Sequence, residues 1–87
     1  MWALEYIGAG EDGFRKLDAS VKRAIEKYMA AVCKLQDPRA RGKRLSGGLK
    51  GHHRYRVGDF RVICTIMEDR LLILAIDVGH RSSVYDD

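Results

Sequence analysis

The sequence predicts an α+β domain: an N-terminal strand, a two-helix hairpin, then a three-stranded antiparallel meander, with the helices on one face of the sheet. Three observations carry this. Apolar residues between Val21 and Leu35 recur at helical spacing. Three short runs after residue 51 alternate apolar and polar residues and are separated by turn residues. The order strand, helix, helix, then three consecutive strands implies an antiparallel sheet with helices segregated to one face.

Each element has its own local signal. Residues 2–7, Trp-Ala-Leu-Glu-Tyr-Ile, alternate well enough for a short strand. Gly8, Gly10 and Gly13 loosen the next segment, and Phe14, Leu17 and Val21 then recur at helical spacing. Ser20 or Asp18 is the expected N-cap of the stronger helix. Val21, Ile25, Tyr28, Val32 and Leu35 form its apolar stripe, and Pro38 stops it. Residues 39–51 are basic and glycine-rich and read as a loop with a short strand near Leu45. Strands are expected over 52–57, 60–67 and 71–79, with Gly58-Asp59 closing the first hairpin and 68–70 the second turn.

The chain of 87 residues fits a single domain, 1–87. At 46% hydrophobic and 32% charged it reads as globular rather than disordered. No run approaches the ~20 apolar residues that span a membrane. No basic segment followed by an apolar one opens the chain, so a cytoplasmic location is expected. Cys33 and Cys64 match no metal-ligand spacing and read as reduced core thiols. Net charge is +4. From Arg39 to Arg61 there are eight Lys and Arg and one acid, Asp59. A basic middle between more acidic ends suggests a localised anion-binding face.

Register sharpens that face. If Gly58-Asp59 closes the hairpin, Val57 pairs with Phe60, Tyr55 with Val62 and His53 with Cys64, giving a mostly apolar side. The other side pairs Arg56 with Arg61 and Arg54 with Ile63. In the second hairpin, Ile66 opposite Leu72 brings Cys64 to Leu74, Val62 to Ile76 and Phe60 to Val78, which keeps the apolar side continuous. That register sets Arg61 opposite Asp77. Like charges directly opposed on a sheet are destabilising, by roughly several tenths of a kcal/mol. The arginine face is then either plainly solvated, with Asp77 neutralising Arg61, or built for phosphate, which the planar guanidinium suits.

At these residues the sequence resembles the RelE/ParE toxin superfamily, and its RelE branch more closely. The carriers are Gly-Leu-Lys-Gly at 48–51, the run from Arg54 to Val62 (Arg-Tyr-Arg-Val-Gly-Asp-Phe-Arg-Val), and Val-Gly-His-Arg-Ser-Ser-Val-Tyr at 78–85. Lys16-Leu17-Asp18 and Asp37-Pro38-Arg39 resemble the family's helix-end patterns. The resemblance implies the RelE-like arrangement of sheet and two helices. It also implies a toxin that inhibits translation as a ribosome-dependent endoribonuclease, cutting mRNA without a cofactor or metal. It places the active basic residues on Arg54, Arg56, Arg61 and Arg81 and the active tyrosine on Tyr85. Some relatives carry lysines at the positions of Arg54 and Arg56, which leaves the general base open. Under this reading Arg39, Arg41, Lys43, Arg44, Lys50, His52 and His80 contact RNA or the ribosome. The implied partners are a cognate acidic antitoxin, the ribosome and mRNA, with operator DNA bound only by the toxin–antitoxin complex and no membrane.

The chemistry expected of such a set follows from its residue types. No histidine pair, carboxylate dyad or metal cluster stands out. RNA brings its own nucleophile, the 2′-hydroxyl, and the transition state gathers charge on phosphate oxygens. Arg61 and Arg81 are expected to stabilise that charge. Arginine stays protonated, so Arg54 is a poor base. Arg54 and Arg56 are expected to hold phosphates, and Tyr85 to move a proton or stack on a base. His52, His53 and His80 compete as bases but read more simply as solvated or hydrogen-bonded side chains. Two rival functions share the fold: a ParE-like inhibitor of DNA gyrase, and a non-catalytic nucleic-acid-binding module.

Overall fold

The computed structural model describes residues 1–84. Its elements are β1 (Ala3–Tyr6), α1 (Ala9–Arg15), α2 (Ala19–Cys33), β2 (Lys43–Arg44), β3 (His53–Val57), β4 (Phe60–Met67) and β5 (Leu72–His80). Short 3₁₀ turns occupy Pro38–Ala40, Gly47–Leu49 and Glu68–Arg70. The strands form one sheet in the order β1-β5-β4-β3-β2. The three C-terminal strands are the antiparallel meander, and β1 adds parallel to β5.

The helix stripe packs on one face of that sheet. Ile25, Met29, Val32 and Cys33 of α2 meet Tyr55, Val62, Cys64, Ile73, Ala75 and Val78, with Trp2 closing one end. Tyr55 is fully buried, and its hydroxyl donates to the Pro38 carbonyl at 2.7 Å. That bond ties the turn after α2 to the middle of β3. Both cysteines are free and buried, and burial pushes the Cys64 thiol up.

The glycines of the N-terminal segment do not loosen it. Helix α1 begins at Ala9, and Gly10 and Gly13 are the points where it lies against β5. A Cβ at Gly10 would sit 2.0 Å from the Ala75 carbonyl oxygen, and one at Gly13 would sit 2.0 Å from that of Val78. Glycine spacing that reads as a break is a backbone-to-backbone contact. Tyr6 stacks on Phe14 beside it, ring centroids 4.4 Å apart.

The β3–β4 register has every pair expected of it, Arg56 opposite Arg61 included. The β4–β5 register differs. Met67 faces Leu72, Ile66 faces Ile73 and Cys64 faces Ala75, because the turn takes in Leu71, which adopts a left-handed φ of 50°. Strict alternation from there would set Asp77 opposite Val62 on the core face. A bulge between Ile63 and Cys64 intervenes, so Ile63 faces Asp77 and Val62 faces Val78. The core therefore takes Ile73, Ala75 and Val78 in place of the expected Leu72, Leu74, Ile76 and Val78. Arg61 faces Gly79, not Asp77.

Adding a methyl group at Gly10 or Gly13 should force α1 off β5. Gly10→Ala and Gly13→Ala should each cost about 1–3 kcal/mol in urea unfolding. Gly48→Ala, with nothing within 4 Å of the new Cβ, should change stability little. Burial also pushes the Tyr6 phenol up to about 12 and the Tyr55 phenol further in the same direction. A raised folded-state pKa gives stability that is complete below the unfolded value of ~10 and is lost as pH rises through the folded one. The urea midpoint should therefore fall between pH 9 and 12, and Tyr6→Phe should flatten that fall.

Candidate nucleic-acid interface

Alternation along β3 sends His53, Tyr55 and Val57 to the helices and Arg54 and Arg56 to the opposite face. Arg61 comes up on that same face from β4, directly across from Arg56. Lys43 joins them from the edge strand, paired with Arg54. Arg54 and Arg61 are half-buried, with Nε of the first and Nη1 of the second out of contact with solvent, while Arg56 is exposed. Cationic groups partly withdrawn from water act on an incoming anion through a lower effective dielectric than surface lysines do.

A second apolar cluster shares this face. Leu45, Ile63 and Val84 are buried together, with Leu49 and Ile76 packed against them. The basic loop after β2 and the segment after β5 thus fold over the sheet from two sides. Gly79 makes the second approach feasible, because a Cβ there would lie 2.8 Å from a Val84 methyl group. The alternation of Ile63 with Arg61 and Thr65 carried the signal for this cluster, since an isoleucine among far-face positions needs a cover.

The turn after β5 positions Arg81. Ser83 N–H and Val84 N–H both donate to the His80 carbonyl, at 2.8 and 3.1 Å. Arg81 N–H donates to the Asp59 carbonyl at 2.8 Å, and its guanidinium Nε lies 3.9 Å from the Asp59 carboxylate. Arg81 therefore stands beside the β3–β4 turn, at the end of the sheet where Arg56 and Arg61 lie. Its side chain is 61% exposed, so the ion pair is weak. Tyr85 lies outside the described residues.

The other expected contact residues divide between the two faces. Lys43 shares the arginine face. Arg39, Arg44, Lys50 and His52 instead surround a cleft on the helix side, together with His53. Arg39 is engaged there by Glu68 at 2.7 Å and by Asp37 at 3.6 Å. Arg41 lies 5.6 Å over the Tyr28 ring, at α2. His52 Nδ1 pairs with the Leu49 carbonyl at 3.1 Å, and His53, buried, gives Nε2 to the Arg41 carbonyl at 2.6 Å. A carbonyl only accepts, so each of these rings is held as the donating tautomer. His80 is exposed and its Nδ1 accepts from the Ser82 N–H at 3.1 Å, with the Ser82 hydroxyl at 2.8 Å. Among the described residues no three His, Cys, Asp or Glu side chains are grouped to hold a metal ion.

The chain resembles known proteins in both sequence and fold. The family model for the ParE toxin of the type II toxin–antitoxin system parDE matches residues 11–85. No curated protein sequence matches it. Its fold matches a chain of the toxin–antitoxin complex RelBE2 from Mycobacterium tuberculosis with a TM-score of 0.80, 20% identity, and coverage of 92% of this chain and 98% of that one. A chain of the intact E. coli RelBE complex matches with a TM-score of 0.73 at 16% identity, covering 92% and 96%. A chain of the archaeal RelE–RelB complex from Pyrococcus horikoshii matches with a TM-score of 0.72 at 18% identity, covering 95% and 98%. With the model spanning most of its length and the RelE fold around the arginine face, the chain belongs to the RelE/ParE family of toxins of type II toxin–antitoxin systems.

Proposed function

We propose that this toxin is an endoribonuclease of the RelE branch that cuts mRNA on the ribosome, in a metal-independent reaction that stops translation. The observation that carries the reading is Arg56 directly across the sheet from Arg61, with Arg54 and Lys43 on the same face. Like charges so opposed destabilise a sheet by a few tenths to 1 kcal/mol. A polyanion crossing that face converts the repulsion into attraction.

In the proposed reaction the RNA 2′-oxygen attacks the adjacent phosphorus in line, giving up its proton to a base. The bond from phosphorus to the 5′-oxygen breaks, and that oxygen takes up a proton. The products are a 2′,3′-cyclic phosphate and a 5′-hydroxyl. Arg61 and Arg81 stabilise the charge that builds on the phosphate oxygens. Arg54 and Arg56 hold the reacting and flanking phosphates. Tyr85 transfers a proton or stacks on a base. Ribosomal binding of the messenger supplies the orientation that these side chains leave unset. Three of the matched relatives come from toxin–antitoxin complexes, which supports a cognate antitoxin as partner here, with an acidic segment to meet the basic face. That complex, rather than the toxin alone, would engage operator DNA in the cytoplasm.

Mapping of 5′ ends by primer extension on translating ribosomes tests this. Arg61→Ala and Arg81→Ala should each lower the cutting rate about 10²–10³-fold, the effect of removing one well-placed donor. Cleavage should persist in EDTA on ribosomes whose structure is maintained with polyamines. The matched family model bears the ParE description, so gyrase supercoiling is the contrasting assay. Inhibited supercoiling with an uncut messenger would sink the nuclease reading.

A further inference from the structure

The arginine face accounts for Arg54, Arg56, Arg61 and Lys43, and leaves unexplained a second group of cations on the other side of the sheet. A cleft of about 290 Å³ lies between β2, the loop after it and the turn after α2. Its walls include Arg39, Arg44, Lys50, His52, His53 and Ile66. His53 and Ile66 are on the core side of β3 and β4, and Arg44 pairs with His53, so the cleft opens on the helix side. It is separate from the arginine face.

The charges in this cleft are unequal. Arg39 is neutralised by Glu68 at 2.7 Å and serves as wall. Arg44 and Lys50 are exposed and meet no carboxylate among the described residues. His52 and His53 each give one ring nitrogen to a backbone carbonyl, which fixes both rings at the cleft wall. Neither ring brings negative charge to the wall. Two uncommitted cations and two anchored imidazoles, with no carboxylate among the wall residues, match a phosphate.

The edge strand links this cleft to the site already described. β2 is two residues long and ends the sheet. Lys43 faces the arginine side beside Arg54, and Arg44 faces the helix side beside His53. A single strand passing over that edge meets cations on both faces. We propose that the cleft of Arg44, Lys50, His52 and His53 is a phosphate site for the same RNA strand whose reacting phosphate lies on the arginine face. The strand wraps around β2 to reach it. The proposal rests on the RNA reading above, and its test does not depend on cleavage.

The probe is a single-stranded 2′-O-methyl RNA, which has no free 2′-hydroxyl to attack, followed by fluorescence anisotropy across a salt series. Each phosphate neutralised on a single strand contributes ~0.7 to the log–log salt slope. Arg44→Ala with Lys50→Ala removes that one phosphate contact and should therefore lower the slope by about 0.7 and weaken binding roughly fivefold near 0.1 M salt. Both side chains are exposed, and an unchanged thermal midpoint checks that the variant is folded. A charge-matched control, Lys16→Ala with Arg23→Ala, should keep the wild-type slope. In a second measurement, inorganic phosphate should perturb the His52 ring resonances of wild type and leave those of the double variant unmoved. A double variant that keeps the wild-type slope, or loses no more than the control, overturns the cleft, as does a wild type that does not bind the probe. An uncut messenger alongside intact, cleft-dependent binding overturns the nuclease and leaves the cleft standing.

Discussion

The pairing of β3 with β4 obliges one backbone to serve two opposed surfaces. Period-two alternation sends Tyr55, Val62 and Cys64 to the helices and Arg54, Arg56 and Arg61 to the other side. A slip of one residue would exchange the two sets and drive three guanidiniums into the core. Burying one such charge without a partner costs several kcal/mol, so the core enforces the geometry of the arginine face. The like-charge repulsion between Arg56 and Arg61 is smaller, a few tenths to 1 kcal/mol. Full burial of Tyr55, with its hydroxyl on Pro38, outweighs it.

The bulge in the β4–β5 pairing applies the same constraint to a strand whose sequence does not obey strict alternation. Asp77 falls where an uninterrupted ladder would bury it. One extra residue turns it away, admits Val78 to the core and moves Gly79 opposite Arg61. The missing side chain at Gly79 then lets Val84 pack down beside Ile63. The local fault in the ladder brings the chain after β5 back over the arginine face, with Arg81 at its rim.

Much of this was legible in the residues, and the rest was hidden for identifiable causes. The β3–β4 register was readable because a two-residue Gly-Asp loop fixes the phase of both strands at once. The β4–β5 register was not, since the turn absorbs Leu71 and the bulge restores phase further on; neither has a composition signal. The glycines before Phe14 read as breaks because the approach of α1 to β5 is a tertiary fact. The basic stretch from Arg39 to Lys50 read as a single patch. In the fold it is divided by an edge strand whose successive side chains point to opposite faces, and Glu68, distant in sequence, takes Arg39 out of play.

That division bears on how a toxin without an evident base would handle RNA under the proposed function. Arginines stabilise developing negative charge well and accept protons poorly, so in the proposed reaction the face they form would act chiefly by holding phosphates in place. Holding is more effective with contacts on both sides of the reacting bond, because a strand fixed at one point still rotates about it. An RNA strand carried over β2, as proposed, would be held on two faces of the same sheet, with Lys43 and Arg44 at the edge setting its direction of travel. On the proposed RNA path the short edge strand, two residues long and cationic on both faces, has a purpose beyond blunting the sheet against aggregation: it would be the corner around which a polyanion turns.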